Sequence, residues 1–447
     1  MRRSFLWTAL GLAFGVSSPA LAGNTDSFYL GNEAALQGGA SAATARGGTS
    51  LWYNPAGLAR LEHDSIDGSM TALSLSLGQD IDLDSALPES EARRLKSSTF
   101  AVVPASLSYT RRFGFGGVGV GLFVPNQEKD VLRTRLRAPS ANGGPSVELS
   151  VDGYTQLQDY YAGAAFGLSL SPFIDVGAAL FATFRSELTI LGVSAVLDLP
   201  METATVMQHS TEDTQDLGLQ PVLGVQLHPG AGWDAGLVLR MPVLRLYALS
   251  QTVGMNLLTR EMEEAPVFQD DFDEQNGFSS TVLQPLRAHA GLARQLGAGL
   301  LALELSYQLP QKNDTIAADR RGVFNVRLGG QVRASETWTL GGGVFSDRSA
   351  DRLTQDSDGR DVDYYGISVG AQRDTPYGVV SRDGLPASAG RLLIFRTTVV
   401  LSYLLGTGQI QRLELGQDAN GTSQLEARNQ DVIDHQIILH FGATLLD

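Results

Sequence analysis

The stretch Leu-Ala-Leu-Glu-Leu-Ser-Tyr-Gln-Leu at residues 301–309 alternates between apolar and polar side chains. Its odd-numbered positions are leucine or tyrosine, while Glu304, Ser306 and Gln308 occupy the opposite face. Such period-two alternation predicts a β-strand with two unlike faces, but it does not separate a water-soluble sandwich from a barrel in lipid. A glutamate in mid-strand favours an interior that is wet or hydrogen-bonded.

The same alternation marks Phe324 to Arg333 and recurs along the chain. Fourteen segments are candidate strands, near residues 65–77, 99–111, 114–124, 152–170, 173–190, 215–228, 231–248, 279–295, 298–310, 321–333, 336–346, 361–372, 390–405 and 432–444.

The connections between these segments alternate between short and long. Tight turns are expected at Arg112-Phe113, Ser171-Pro172, Pro229-Gly230 and Gly297. Long polar loops are expected at 78–98, 125–151, 191–214, 249–278, 347–360 and 406–431, and the 17 residues of 373–389 break the pattern at an expected short turn. Outer-membrane barrels sort their loops in this way and have an even number of strands, whereas a sandwich has no reason to do so. The sequence therefore predicts an all-β fold, a 14-stranded antiparallel transmembrane β-barrel.

Residues 1–22 have the pattern of a secretory signal peptide. Arg2 and Arg3 precede a short apolar run from Phe5 to Val16, and Ala20-Leu21-Ala22 matches a small-x-small cleavage site. The run is too short to cross a bilayer as a helix. We expect export through this signal peptide, a mature chain that begins at Gly23, and localisation in the bacterial outer membrane.

Composition excludes several classes of function. The formal net charge is −15, which argues against a nucleic-acid partner, and the absence of cysteine excludes a disulfide scaffold and a thiol enzyme. Acidic residues cluster at 270–274 and 356–363, but neither cluster has the full ligand spacing of a calcium loop. We expect no cofactor and no specific metal site; divalent bridging to lipopolysaccharide is a looser use of these loops.

Residues 23–62 do not have a strand pattern and are expected to form an N-terminal hatch, with the barrel at 63–447. Gly31 to Gly48 is mostly glycine, alanine and serine, whose small side chains permit close backbone packing. Pro55 then fixes its own φ and biases Asn54 away from helix, so a turn of set geometry follows. The alternative is a flexible periplasmic linker, which would gain nothing from the apolar cluster at Leu51, Trp52, Tyr53 and Leu58.

At these residues the sequence resembles the FadL/TodX-type outer-membrane transporters of long-chain fatty acids and hydrophobic compounds. The matching stretches are Gly38 to Ala43, Ser50 to Leu58, Val103-Pro104-Ala105 with Ser108-Tyr109, Gly117 to Pro125, and Arg327 to Gly330 continuing to Trp338 through Gly343. The resemblance implies a monomer whose hatch lies in the barrel lumen and whose gate includes Asn54, Pro55, Ala56 and Gly57. It also implies uptake of long-chain fatty acids or similar hydrophobic molecules, with hatch movement and lateral release into the membrane lipid.

Lateral release in this family uses an opening near a kinked third strand, which corresponds here to the segment with Gly117, Gly119 and Gly121. Glycines on the lumen face of a strand either leave space for the hatch backbone or permit a kink. The resemblance does not carry ligand-contacting residues over to this chain, so the ligand-binding residues stay unknown at this point.

Two short patterns associated with enzymes occur, and neither has its structural context. Gly366-Ile367-Ser368-Val369-Gly370 fits a nucleophile elbow, but it lies within an alternating strand with no helix pattern after it. Gly114, Gly116 and Gly119 fit a dinucleotide fingerprint without a βαβ unit. We expect no enzymatic activity. The alternatives to a hydrophobic transporter are a polar-solute porin, a surface adhesin or structural barrel, and an outer-membrane lipid hydrolase.

Overall fold

The computed structural model describes residues 29–78, 103–138, 146–199, 202–260, 267–278, 281–313, 318–351, 360–380, 391–417 and 423–447. The expected signal peptide lies outside the described residues.

Short helices precede the strands. Helix α1 spans Asn32–Leu36, helix α2 spans Gly47–Tyr53, and a 3-10 helix spans Pro55–Arg60. Among the described residues, no helix is long and apolar enough to cross a bilayer. The strands are β1 (Ser65–Gly78), β2 (Val103–Phe113), β3 (Gly116–Ala138), β4 (Ser146–Ser171), β5 (Ile174–Leu199), β6 (Glu202–Gly230), β7 (Trp233–Arg240), β8 (Val243–Arg260), β9 (Val267–Phe278), β10 (Val282–Gln284), β11 (Arg287–Leu296), β12 (Gly299–Gln308), β13 (Gln311–Asn313), β14 (Ala318–Arg320), β15 (Val323–Arg333), β16 (Trp338–Asp347), β17 (Arg360–Val380), β18 (Arg391–Gln417) and β19 (Ser423–Leu446).

The strands form a closed barrel. The first strand, β1, pairs with β2 on one side and with β19 on the other, in an antiparallel register from Ser65–Leu446 to Gly78–Asp434. Several strands are successive pieces of one span: β7 with β8, β9 with β10 and β11, β12 with β13, and β14 with β15. Together they make 14 antiparallel spans, which confirms the predicted strand number.

Prolines lie at most of the breaks within these spans. Pro242 separates β7 from β8, Pro285 separates β10 from β11, and Pro310 separates β12 from β13. A proline has no N–H to donate to the ladder, so the pairing stops there. Pro125 lies at a fourth irregularity, where the register of β3 on β4 shifts between Phe123 and Asn126.

Strand β12 shows which face of the wall is apolar. Leu301 and Leu305 are 50% and 37% exposed, whereas Glu304 between them is only 2% exposed. The polar face therefore points inward and the apolar face outward, the reverse of a water-soluble sheet. This orientation suits a wall surrounded by hydrocarbon and rules out the sandwich.

The strands extend further than their sequence pattern indicates. β4, β5 and β6 have 26, 26 and 29 residues, whereas a tilted strand crosses hydrocarbon in about 9–11 residues. Most of 125–151, 191–214, 249–278 and 406–431, which the sequence predicts as loops, therefore belongs to strands. These extensions carry polar residues on both faces, so they lack the alternation by which a strand is recognised.

Residues 29–61, called the lumenal segment from here on, fill the interior of the barrel. Leu36, Leu51 and Leu58 are fully buried, and they pack in hydrophobic clusters with wall residues such as Phe123 and Phe345. The segment contacts strands on all sides of the ring, from β1 to β19. The hydrophobic core of the protein is thus the interface between this segment and the inner wall.

Candidate functional site: a pocket against the lumenal segment

Asn54 fastens the turn of the lumenal segment. Its side chain is fully buried, and its Nδ2 donates to the carbonyl oxygens of Ala42 at 2.6 Å and Val225 at 3.1 Å. Its Oδ1 accepts a hydrogen bond from the backbone N–H of Ala56 at 3.1 Å, and so caps the 3-10 helix that Pro55 begins. All hydrogen-bonding groups of this amide are used, which explains why asparagine precedes the proline.

A second set of hydrogen bonds fastens the segment to the junction of the first and last strands. Asn32 Nδ2 donates to Thr444 Oγ1 at 2.9 Å, and that hydroxyl donates to Asp67 Oδ1 at 2.7 Å. The other oxygen of Asp67 accepts from the backbone N–H of Gly48 at 3.1 Å. Both helices of the segment therefore contact the pairing of β1 with β19.

Glycines in the wall admit the backbone of the segment. A Cβ on Gly177 would lie 2.3 Å from the carbonyl carbon of Pro55, and one on Gly224 would lie 2.1 Å from Asn54 Oδ1. Real Cβ atoms do not approach other atoms so closely, so only glycine fits at these positions. The wall glycines in such contact with the segment are Gly117, Gly119, Gly167, Gly177, Gly224, Gly236, Gly291, Gly329, Gly341, Gly343 and Gly442.

In the third strand, the sequence left open whether the glycines provide space for the hatch or permit a kink. Gly117 and Gly119 provide space for the lumenal segment. A Cβ on Gly117 would lie 2.5 Å from the carbonyl oxygen of Leu58, and one on Gly119 would lie 2.7 Å from Leu51 Cδ1. The two glycines lie in a regular part of the β2–β3 ladder.

The irregularity of β3 lies further along, at Pro125. The ring of Phe123 lies over Gly121, where a Cβ would approach it to 2.7 Å. The register shift follows between Phe123 and Asn126. Within the described residues, β2 pairs with β3 only as far as Phe123, so the break in β3 begins where its described pairing with β2 ends.

A pocket lies beside the lumenal segment, next to the prolines of the wall. The apolar side is lined by Leu30, Trp52, Tyr53, Pro125 and Tyr161, and the polar side by Asn126, Asp159, Gln220, Arg240, Gln284, Arg287, His289 and Arg327. Because Asn126, Gln284 and Arg287 adjoin Pro125 or Pro285, the strand breaks help to shape the polar side.

Trp52 is the centre of the apolar side. Its ring lies 5.3 Å from that of Phe123, 5.2 Å from that of Tyr161 and 5.7 Å from that of Phe181, between centroids. The guanidinium carbon of Arg240 lies 4.1 Å from the Trp52 centroid, and Arg240 Nη2 donates to the Trp52 carbonyl oxygen. A cation–π contact of this kind stabilises both groups and fixes the border between the two sides of the pocket.

Glu304, which is 2% exposed, lies beneath the polar side. Its Oε2 accepts from the backbone N–H groups of Ser41 at 2.9 Å and Ala42 at 2.8 Å. Its Oε1 accepts from His289 Nδ1 at 3.0 Å and lies 3.8 Å from Arg327 Nη1. One buried carboxylate therefore joins two pocket residues to the backbone of the segment.

A further ionic cluster holds the C-terminal end of the segment near the short turns. Asp175 is fully buried, and its Oδ2 accepts from Arg60 Nε at 2.5 Å and from His228 Nε2 at 2.8 Å. The other ring nitrogen of His228 lies 2.6 Å from Asp234 Oδ1. Arg60 also donates to the carbonyl oxygen of Pro172 at 2.6 Å.

The short enzyme-like patterns lie in or beside strands. Ser368 lies within strand β17, and its buried hydroxyl makes no hydrogen bond to a described residue. Neither ring nitrogen of His440 has a described hydrogen-bond partner, so these two residues do not form a nucleophile–base pair. Gly116 and Gly119 lie in strand β3, with no helix after it.

The described residues contain no group of three or more acidic, histidine or cysteine side chains arranged to hold a metal ion. Asp356 and Asp358 of the second acidic cluster lie outside the described residues. Asp361 Oδ1 in that cluster accepts from Arg321 Nη2 at 2.6 Å, and Asp363 Oδ2 accepts from Arg348 Nε at 3.1 Å. These two carboxylates are used in ion pairs.

No protein-family model and no curated protein matches this sequence.

Solved structures match its fold. A FadL homologue from Pseudomonas aeruginosa aligns over 96% of this chain and 99% of its own, with a TM-score of 0.55 and 12% identity. The chain has the fold of the FadL-type barrels. The Pseudomonas putida toluene transporter TodX aligns over 94% of this chain and 99% of its own, with a TM-score of 0.56 and 14% identity. The monoaromatic hydrocarbon channel CymD aligns over 94% and 97%, with a TM-score of 0.56 and 13% identity.

The sequence alone did not identify the residues of the pocket in this FadL-type barrel. Arg240 lies in β7, whereas Arg287 and His289 lie in β11, and nothing local to either strand marks a shared site. The available signal was proline: Pro125, Pro242 and Pro285 interrupt alternating strands, and the pocket residues lie within a few positions of them.

Proposed function

We propose that this protein takes up long-chain fatty acids, or similar hydrophobic molecules with an acidic head, passively across the bacterial outer membrane. It acts as a monomer surrounded by membrane lipid and lipopolysaccharide. The pocket that places Trp52 and Tyr161 beside Arg240 and Arg287 carries the proposal. The proposed transport involves no covalent chemistry. Binding is driven by the transfer of apolar ligand surface out of water, which is worth about 25 cal/mol per Å².

The polar side of the pocket favours an acidic head over a neutral ligand. Guanidinium groups bind carboxylates through paired, charge-assisted hydrogen bonds. A neutral aromatic hydrocarbon would stack on Trp52 but would form no such hydrogen bond. Toluene and monoaromatic hydrocarbons, which the names of TodX and CymD specify, are therefore the less favoured ligands for this chain.

The short turns face the periplasm and the long strand extensions face the exterior, as in other outer-membrane barrels. A ligand then enters above the lumenal segment and meets the pocket before the Asn54–Gly57 turn. Residues 23–62 act as the hatch, with Asn54, Pro55, Ala56 and Gly57 at the gate. Displacement of this turn from Gly177 and Gly224 opens the lower part of the lumen.

Release into the membrane takes place beside β3. Pro125 both lines the pocket and lies at the register shift of the strand, which brings the ligand next to an irregular point of the wall. The glycine positions Gly117, Gly119 and Gly121 allow the hatch to move along this strand, because they present no side chain to it.

The proposal is tested by binding of oleate and of methyl oleate, its neutral ester, to the full-length protein in detergent. We expect oleate to bind at least about tenfold more tightly, the factor that one charge-assisted hydrogen bond supplies. Arg287→Gln should remove most of this preference. The matched control is Arg294→Gln in the same strand, because Arg294 is exposed and stacks on Trp233 outside the pocket. Equal binding of both ligands by the wild type would contradict an acid-selective site.

Conductance in a planar bilayer distinguishes this proposal from a polar-solute porin. A barrel filled by its lumenal segment should pass almost no current, whereas an open porin should conduct ions. Loss of cell adhesion with unchanged growth on oleate, after deletion of external segments, would favour an adhesin. Phospholipid hydrolysis that disappears in Ser368→Ala would favour a lipase.

A further inference from the structure

His289 lines the pocket and has an unused hydrogen-bonding atom. The side chain is buried and lines the pocket, and its Nδ1 is occupied by Glu304. Its Nε2 is buried and has no described hydrogen-bond partner. Buried polar atoms in proteins are nearly always paired, so an unpaired one on a residue that lines a pocket marks a place for a ligand atom.

Behind His289, a continuous series of hydrogen bonds leads to the Asn54 turn. Glu304 accepts from His289 with one oxygen and from the amides of Ser41 and Ala42 with the other. The carbonyl oxygen of Ala42 then accepts from Asn54 Nδ2 at 2.6 Å. The polar side of the pocket is therefore three hydrogen bonds away from the turn: His289 to Glu304, Glu304 to Ala42, and Ala42 to Asn54.

We propose that Glu304 is a positioning residue through which a ligand in the pocket loosens the lumenal segment. The inference rests on the proposed function, since it requires an acidic ligand in this pocket. When the carboxyl group of the ligand bonds to His289 Nε2 and to Arg327, these two side chains are shared between the ligand and Glu304. Glu304 then loses part of its positional support, and the amides of Ser41 and Ala42 open to water more often.

The geometry restricts this coupling to Glu304. It is the described side chain that contacts both the pocket histidine and the segment backbone at 41–42. Arg327 supports it from the same side, because its Nη1 lies 3.4 Å from the carbonyl oxygen of Gly39. The ionic cluster at Asp175 also holds the segment, but none of its residues lines the pocket. That cluster therefore offers a matched histidine, His228, that bonds to a carboxylate without facing the ligand.

The test is hydrogen exchange at the amides of Ser41 and Ala42 in the full-length protein, with and without saturating oleate. In the wild type, oleate should accelerate exchange at least about tenfold, as expected when a hydrogen bond to a charged group is weakened. In His289→Phe, oleate should still bind through the apolar side, but exchange should not respond to it. In His228→Phe, the response should be retained.

Glu304→Gln supplies a second measurement that does not depend on the histidine variant folding well. Without the charge, exchange at Ser41 and Ala42 should be fast even in the absence of oleate, and oleate should add little. The coupling is overturned if wild-type protein binds oleate with unchanged exchange, or if the response survives in His289→Phe. Absence of oleate binding to the wild type would instead overturn the proposed function, and the coupling with it.

Discussion

Asn54 Nδ2 lies 3.1 Å from the carbonyl oxygen of Val225 in strand β6, and this hydrogen bond joins the turn of the lumenal segment directly to the barrel wall. The same nitrogen donates to Ala42 within the segment. The Asn54 side chain therefore stabilises both the fold of the lumenal segment and its attachment to the wall. Substitutions at this residue should affect both the closure of the lumen and the stability of the protein.

Asn54→Ala should loosen the turn. It removes the hydrogen bonds to the buried amide of Ala56 and to the carbonyl oxygens of Ala42 and Val225, at a cost of about 1–3 kcal/mol for each group left unsatisfied. We expect a lower thermal unfolding temperature and measurable conductance in a planar bilayer. Asn276→Ala, at an exposed asparagine of β9, is the control and should change neither quantity. A silent Asn54→Ala channel with unchanged stability would contradict a gate at this turn.

Gly177→Ala should displace the 3-10 helix from the wall. The new Cβ would meet the backbone of Pro55 and Ala56 at 2.3–2.4 Å, and overpacking of this kind costs about 1–3 kcal/mol. Faster hydrogen exchange across residues 54–60 is the expected result. Gly68→Ala is the matched control, because a Cβ at Gly68 meets nothing within 4 Å. Equal exchange in both variants would show that the segment does not depend on this contact.

Asp175→Ala should free the C-terminal end of the segment. Arg60 and His228 would lose their common acceptor, and removal of one partner of a buried ion pair commonly costs about 3–5 kcal/mol. Trypsin should then cleave after Arg60 at a much higher rate in the folded protein. Asp234→Ala, which removes only the outer partner of His228, should have a smaller effect. Resistance of both variants to trypsin would contradict this role.

Ionisation of Tyr29 should lower the stability of the folded protein at alkaline pH. Burial of its ring raises the pKa of the Tyr29 hydroxyl to about 12 in the folded protein, compared with about 10 in an unfolded chain. The folded state therefore favours the neutral phenol, a contribution that is complete below pH 10 and is lost as pH rises through 12. Stability measured by denaturant unfolding should fall between these values. Tyr29→Phe should lose less stability over the same interval, and identical pH profiles would refute the assignment.

The strand content of the barrel could be predicted because each span carries its own signal. Residues 301–309 alternate clearly, and the structure places Leu301 outside and Glu304 inside. The tight turns lie within two residues of their predicted positions, as at Ala231–Gly232, where Ala231 adopts a positive φ of 54°. The polar strand extensions beyond these spans were missed because neither of their faces is consistently apolar.

The pocket could not be predicted in the same way, because its contacts join distant parts of the chain. Glu304 was identified as an inward polar residue, but its hydrogen bond to Ser41 spans 263 positions. Arg240 and Trp52 are likewise 188 positions apart. Alternation predicts whether a side chain points into the lumen or out of the barrel. It does not predict which residue that side chain contacts across the lumen, because this depends on how the barrel closes and on the path of the lumenal segment.

The hydrogen bonds from Asn32 through Thr444 to Asp67 cross the line where the first and last strands meet. Asn32 of the lumenal segment is therefore bonded to the last strand at the point where that strand pairs with the first. If the barrel closed before the lumenal segment entered it, the folded segment would have to pass the ion pairs that line the lumen. It would also have to pass the wall glycines, which leave no free space around its backbone. Assembly in the opposite order meets no such obstacle: the strands wrap around a segment already in position, and the final pairing is completed against Thr444 from within. We therefore expect the lumenal segment to be in position before the pairing of β1 with β19 closes the barrel.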